Sequence, residues 1–184
     1  MPKNHYDKIE DWHQTFIEEQ MMFFAATAGP EGRVNMAPKD APSLRVMGPN
    51  RIVWVNLTGA ENETGAHLAA SPRMTLMWCS FAKKPIILRA YGKAELIHPR
   101  DQSWSDLIGL FPPRHGSRQI IDLSVELVLK SCGFGVPLYD FVSHRDTLRL
   151  WEESKGDEGV RKHWADRNQV SIDGKPTELL SNET

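Results

Sequence analysis

Arg33, Asn35 and Lys39 are spaced so that, on a β-strand, all three side chains project from one face. Two cations with an amide between them make either a solvated surface or a place for an anion. Further along, NLTGAENETGAHL (56–68) follows the apolar run Ile52–Val55. It crowds Asn56, Thr58, Asn62 and Thr64 among glycines before the chain turns apolar at Ala66 and Leu68. A helix starting near Asn62 presents free amide groups and the positive end of its dipole. Asn62 and Thr64 add side-chain donors there. Such a start either receives an anion such as phosphate or is merely capped by Asn62. Both uses share one geometry, and the residues alone leave both open.

Other chemistries find no support in the spacing. There is no Gly-x-x-x-x-Gly-Lys loop, no Gly-x-Gly-x-x-Gly opening a helix and no Gly-x-Ser-x-Gly elbow. Gly133-Phe134-Gly135 lies among strand-like residues and reads as a bulge. The seven histidines make no paired metal-ligand spacing. Cys79 sits in an apolar strand pattern, which favours an inert thiol over a nucleophile. Trp54, Trp78, Tyr139 and Trp151 are either core or the lining of a ring pocket. His67, one turn into the expected helix, is either structural or an acid–base group.

The elements that must position these groups follow from periodicity. Residues 5–20 predict an amphipathic helix with Ile9, Trp12, Phe16 and Ile17 on one face. MMFFAATA (21–28), the turn GPEG and RVNMAPK (33–39) read as a hairpin; SLRVMG (43–48) and RIVWVNL (51–57) read as a second. A short helix over 66–70 ends near Ser71-Pro72. MTLMWCSF (74–81) and IILRAYGKAELI (86–97) are two more strands, and 101–110 is a short helical segment. Residues 123–142 are strand-rich. Helical spacing returns over 146–168, with Leu148, Trp151 and Trp164 inward. The order is a helix, about six hairpin-linked strands with one inserted helix, and a C-terminal helix. That predicts a mainly β (α+β) fold, an antiparallel barrel with flanking helices, rather than a doubly wound parallel sheet. The expected division is a barrel unit over 1–145 and a C-terminal helix and tail over 146–184.

The chain of 184 residues is long enough for a substantial core. A net charge of −2 without a basic run argues against nucleic-acid binding. Met21–Ala28 is too short to span a bilayer. The polar N-terminus and two cysteines fit a cytoplasmic setting. In that setting Asn56-Leu57-Thr58, Asn62-Glu63-Thr64 and Asn182-Glu183-Thr184 match the glycosylation pattern by chance.

RVNMAPK, then WVNLTGAENETGAHLAASPRMTLMWCSF, then IILRAYGKAEL resemble, in order and spacing, the pyridoxamine 5′-phosphate oxidase-like, FMN-binding split-barrel proteins. SCGFGVPLYDFV and SIDGKP are similar to one bacterial branch of that group. The resemblance implies a homodimer of six-stranded split barrels with FMN in the clefts between subunits. It implies that the strand carrying Arg33, Asn35 and Lys39 lies beside the flavin and its phosphate, with Leu57 and Thr58 near the ring edge. Asn62, Glu63 and Thr64 stand where the oxidases carry a Ser-Arg-Lys phosphate clamp, and Arg89 matches an arginine of the long fifth strand. The partner would add residues from 123–142 and from the tail.

The departures are informative. Glu63 replaces a clamp cation, and a carboxylate beside a phosphate repels it, so Glu63 is expected to turn away. Ile87 stands where the oxidases have a flavin-contacting glutamine. The tail reads SIDGKP where they carry the Arg-x-His that grips substrate, which argues against oxidation of pyridoxamine phosphate itself. The expectation is an FMN-dependent oxidoreductase acting on a small molecule; the alternative is a non-catalytic flavin, deazaflavin or haem binding or storage protein.

Overall fold

The computed structural model describes residues 4–181; the Asn182-Glu183-Thr184 triplet lies outside them. The elements are β1 (His5–Tyr6), α1 (Asp11–Glu18), β2 (Met22–Ala28), β3 (Val34–Asp40), a 3-10 turn (Ala41–Ser43), β4 (Leu44–Gly48), β5 (Arg51–Leu57) and α2 (Glu63–Ala70). They continue with β6 (Arg73–Cys79), β7 (Ile86–Ile97), α3 (Trp104–Ile108), β8 (Ser117–Cys132) and α4 (Thr147–Arg167). The strands form one antiparallel sheet in the order β3-β2-β6-β7-β8-β5-β4, with β1 paired to β8 off that path. It is mainly β with flanking helices, and the sheet is not closed.

Alternation explains the curl. In β2 Phe23, Ala25 and Thr27 are buried while Met22, Phe24, Ala26 and Ala28 are half-exposed. The inward residues join Ile52, Trp54, Leu76, Trp78, Leu88, Ile121 and Leu123 in the main core. Phe23 meets Trp54 edge-on at 5.7 Å, so the β2–β3 end of the sheet folds over towards β5. The edge strands β3 and β4 are joined by the 3-10 turn but share no ladder; the barrel's seam lies between them. Gly92 makes the bend in β7 possible: the register shifts there, and a Cβ would collide with the Ser124 carbonyl.

A second core, with Val53, Val55, Ile97, Leu107, Phe111 and Ile120, lies between the other face of β5–β8 and α3. A third packs Val160 and Trp164 of α4 on Leu179 of the tail. Inside α4, Gly156 has φ 61°, a left-handed kink.

Three expectations shift. The helix expected over 5–20 begins only at Asp11, because His5 and Tyr6 pair with Leu129 and Val128. The last strand starts at Ser117 and stops at Cys132, so Gly133-Phe134-Gly135 follows the strand rather than bulging it. In α4 the buried side chains are Glu152, Val160 and Trp164, with Leu148 and Trp151 only partly covered. Asn56 and Asn62 are buried, in line with chance glycosylation triplets. No helix among the described residues is long and apolar enough to cross a membrane.

Candidate functional site

The β3 strand and the start of α2 meet through one side chain. Asn35 donates from Nδ2 to Thr64 Oγ1 at 3.2 Å and to Thr27 Oγ1 at 3.4 Å. Thr27 Oγ1 lies 3.1 Å from His67 Nδ1. A hydroxyl that accepts from Asn35 has its own proton to give. Thr27 thus links Asn35 to the His67 ring, and the direction of that bond is set by the imidazole tautomer. Thr64 likewise accepts from Asn35 and keeps a hydroxyl proton for another acceptor.

A second chain starts at Lys39. Its Nζ donates to Asn56 Oδ1 at 3.2 Å, and Asn56 Nδ2 donates to Asn62 Oδ1 at 3.2 Å and to Gln119 Oε1 at 3.3 Å. An ammonium has only donors, so it fixes which way Asn56 faces. Each amide then spends its oxygen backwards, and the free ends are all N–H groups. Asn62 Nδ2 and Gln119 Nε2 are buried with no protein partner. Asn62 holds the N-cap position of α2, but its side chain makes no capping bond; plain capping is not its use. Leaving such a donor unpaired costs roughly 1–3 kcal/mol.

Arg118 completes the set. It is 3 % exposed, and its guanidinium donates to the Glu61 carbonyl at 3.0 Å and to Asn168 Oδ1 at 2.7 Å. Its Nε has no partner, and no carboxylate pairs with it among the described residues. Arg118 stands at a β-bulge: Asn56 pairs with Gln119, but Leu57 pairs with Ser117. The bulge turns an arginine inward where alternation would not. Burial pushes its pKa down to about 9. Burial first, then repulsion from Arg118, lowers Lys39 to about 8. Two neighbouring cations, desolvated and short of counter-charge, define a region that favours an anion.

The other sequence candidates go elsewhere. Leu57 packs into the second core. Thr58 Oγ1 donates to the Gly116 carbonyl at 3.1 Å and accepts from Trp164 Nε1 at 2.8 Å, holding α4 in place. Arg89 is in register with Met77, and through it with Phe24 and Pro38, on the sheet face opposite Lys39; it donates to Ser131 Oγ at 2.9 Å. Arg33 is exposed and engaged, through both its backbone N–H and its guanidinium, by Asp173 of the tail. Glu63 is turned away, accepting from the Ile172 N–H at 2.7 Å. Trp54 and Trp78 are core, although Trp78 also borders a cavity of about 390 Å³ with Phe23, Leu44, Val46 and Arg45. Phe23, which lines that cavity, is also the cross-strand partner of Lys39. Cys79 is partly buried, and burial raises its thiol pKa. Among the described residues no three His, Cys, Asp or Glu are placed to hold a metal ion.

Asn56, Arg118 and Gln119 are functional candidates that sequence reasoning missed. Asn56 lay inside the quoted loop, facing the same way as Trp54. Arg118 gave no signal, because a bulge breaks the alternation.

Comparison with known proteins gives the class. Residues 9–132 match the family model for pyridoxamine 5′-phosphate oxidase, and the chain belongs to that family. The pyridoxamine 5′-phosphate oxidase family protein ustO of Aspergillus flavus is 33 % identical over 147 residues, covering 77 % of this chain. The match spans only 59 % of the length of that relative. Among solved structures, a candidate pyridoxamine 5′-phosphate oxidase of Lactobacillus delbrueckii superposes with a TM-score of 0.55 at 17 % identity, over 67 % of this chain and 95 % of that one. A variant of HupZ from Group A Streptococcus gives 0.52 at 16 %, over 67 % and 99 %. At such identities these structures bear on the fold alone.

Proposed function

We propose that this chain binds FMN and serves as an FMN-dependent oxidoreductase acting on a small molecule. The observation that carries this reading is the polarity of the buried chain Lys39–Asn56–Asn62/Gln119, beside Arg118: every free end is a donor or a cation. That set suits a phosphate. Lys39 and Arg118 would balance its charge, Asn62 Nδ2 and the Thr64 hydroxyl would donate to its oxygens, and the amides at the start of α2 would face it. Asn35 would hold Thr64 in orientation. The cavity beside Phe23 and Trp78 offers apolar wall to a ring system.

Bound FMN would supply hydride or electron transfer, which no side chain supplies. This chain's residues would hold it, keep water from its phosphate and orient it. His67, buried with Nδ1 against Thr27, sits one turn along α2 from Thr64 and would serve as the acid–base group. Family membership supports a flavin; the missing Arg-x-His keeps pyridoxamine phosphate oxidation outside the proposal.

A homodimer in a cytoplasmic setting is part of the same proposal. Val34 and Met36 project from the outer face of edge strand β3 at 76 % and 63 % exposure. That stripe is what a second copy would cover. The test is the absorbance spectrum of freshly purified protein, followed by anaerobic NADH or NADPH. A flavin spectrum that bleaches and turns over supports the oxidoreductase. Bound flavin inert to both donors leaves a binding or storage protein, and protein that stays colourless with added FMN overturns the reading.

A further inference from the structure

The tail segment Val170–Pro176 is a formed hairpin whose tip meets the mouth of the donor set. Val170 and Pro176 bridge, the Ser171 N–H donates to the Lys175 carbonyl at 2.8 Å, and Gly174 turns with φ 72°. Its base is fixed: Thr177 Oγ1 donates to the Asn168 carbonyl at 2.6 Å, while Asn168 Oδ1 accepts from Arg118. At the tip, consecutive residues bridge the two charged side chains that flank the site. The Ile172 N–H takes Glu63, and the Asp173 carboxylate takes Arg33.

The Asp173 contact is built as an anion site. Both the Arg33 N–H, at 2.7 Å, and its guanidinium donate to one carboxylate. Gly32 precedes with φ 91°, and the carboxylate occupies the space a Cβ there would need. Arg33 is 69 % exposed as a side chain, so the pair contributes little to stability. Its effect is on what else Arg33 can bind. Arg33 immediately precedes β3 and lies two residues from Asn35, whose amide reaches Thr64 on α2.

We propose that Asp173 is a built-in counter-ion that closes Arg33 to a second anion and so fixes the substrate class as uncharged or cationic at its near end. This rests on the flavin reading for the identity of the first anion. The buried cations Lys39 and Arg118 remain open to a cofactor phosphate, whereas a substrate carrying phosphate or carboxylate meets an arginine already neutralised. A like charge at Asp173 also repels it.

The test uses the full chain saturated with FMN, titrated calorimetrically with pyridoxamine 5′-phosphate and with pyridoxamine as its phosphate-free counterpart. The wild type is expected to show no preference for the phosphate ester. Asp173→Asn and Asp173→Ala are expected to bind the ester at least tenfold more tightly than the wild type, and Arg33→Ala in the Asp173→Ala background to abolish that gain. Equal ester affinity in wild type and both variants overturns the proposal. A ligand-free readout stands beside it: hydrogen exchange at the Arg33 amide should quicken about tenfold in Asp173→Ala, and an unchanged rate also overturns the proposal. If no variant binds FMN, the flavin reading fails by itself. The exchange rates and the ester titration of the same proteins without FMN then still decide whether Asp173 guards Arg33.

Discussion

Asn35 on β3 and Thr64 on α2 are joined at 3.2 Å across 29 positions of sequence. This bond brings an edge strand to a helix start and leaves the Thr64 hydroxyl proton unspent. Around it the site is assembled from backbone and side-chain donors; the carboxylates of Glu63 and Asp173 are drawn off by the tail and by Arg33, while Asp40 lies near enough to Lys39 to offset part of the lowering of its pKa.

Asn35→Ala removes two part-buried hydrogen bonds and frees Thr64 to rotate. The loss in stability is expected at about 1–2 kcal/mol, read by urea denaturation. FMN affinity should fall with it, because Thr64 loses the partner that aims its proton. Asn35→Asp, which cannot donate, should weaken FMN further than alanine does, because it adds a negative charge.

Arg118→Met keeps much of the volume and removes the buried charge. Charge-assisted hydrogen bonds are worth roughly 1.5–3 kcal/mol, so FMN should dissociate about 10- to 150-fold more readily, by fluorescence titration. Riboflavin binding should change far less, since it carries no phosphate.

Lys39 sets a pH dependence whose sign is fixed by its lowered pKa. Between about 8 and the ordinary 10.5 the unfolded chain keeps a proton on Lys39 that the folded, ligand-free chain has released. Stability that depends on Lys39 therefore rises as pH increases through that window, and below about 8 the full cost of a buried charge is present. Melting curves of wild type and Lys39→Met should converge towards pH 10. FMN binding runs the other way: it needs the protonated amine, so wild-type affinity should fall as pH rises through about 8, and Lys39→Met should show no such step.

Glu152 anchors α4. It is 1 % exposed and accepts from Arg114 Nε at 2.6 Å. Removing one partner of a buried pair costs roughly 3–5 kcal/mol, so Arg114→Met should lower the melting temperature by about 10 °C. FMN affinity per folded molecule should be unchanged, because the pair lies apart from the donor chain.

What was legible in the sequence is what period and local chemistry control. Alternation placed Arg33, Asn35 and Lys39 on one face, and the cluster at 62–64 marked a helix start; that Asn35 and Thr64 meet is read from the structure. The closing contacts were not legible, because they depend on long-range register. Tyr6 is drawn out of a helical pattern by its pairing with Val128 on β8. Arg118 precedes the apolar alternation and is aimed inward only by the bulge opposite Asn56 and Leu57. Arg33, read as a phosphate ligand, is held by Asp173, 140 positions away, and nothing local to either residue signals that contact.

The account stands or falls on whether Lys39, Arg118, Asn62 and Thr64 hold a phosphate. Parallel titration of wild type and Arg118→Met with FMN and with riboflavin reads this directly. The account predicts that the wild type prefers FMN by at least a hundredfold and that Arg118→Met loses most of that preference. Equal affinity of the wild type for FMN and riboflavin would contradict it.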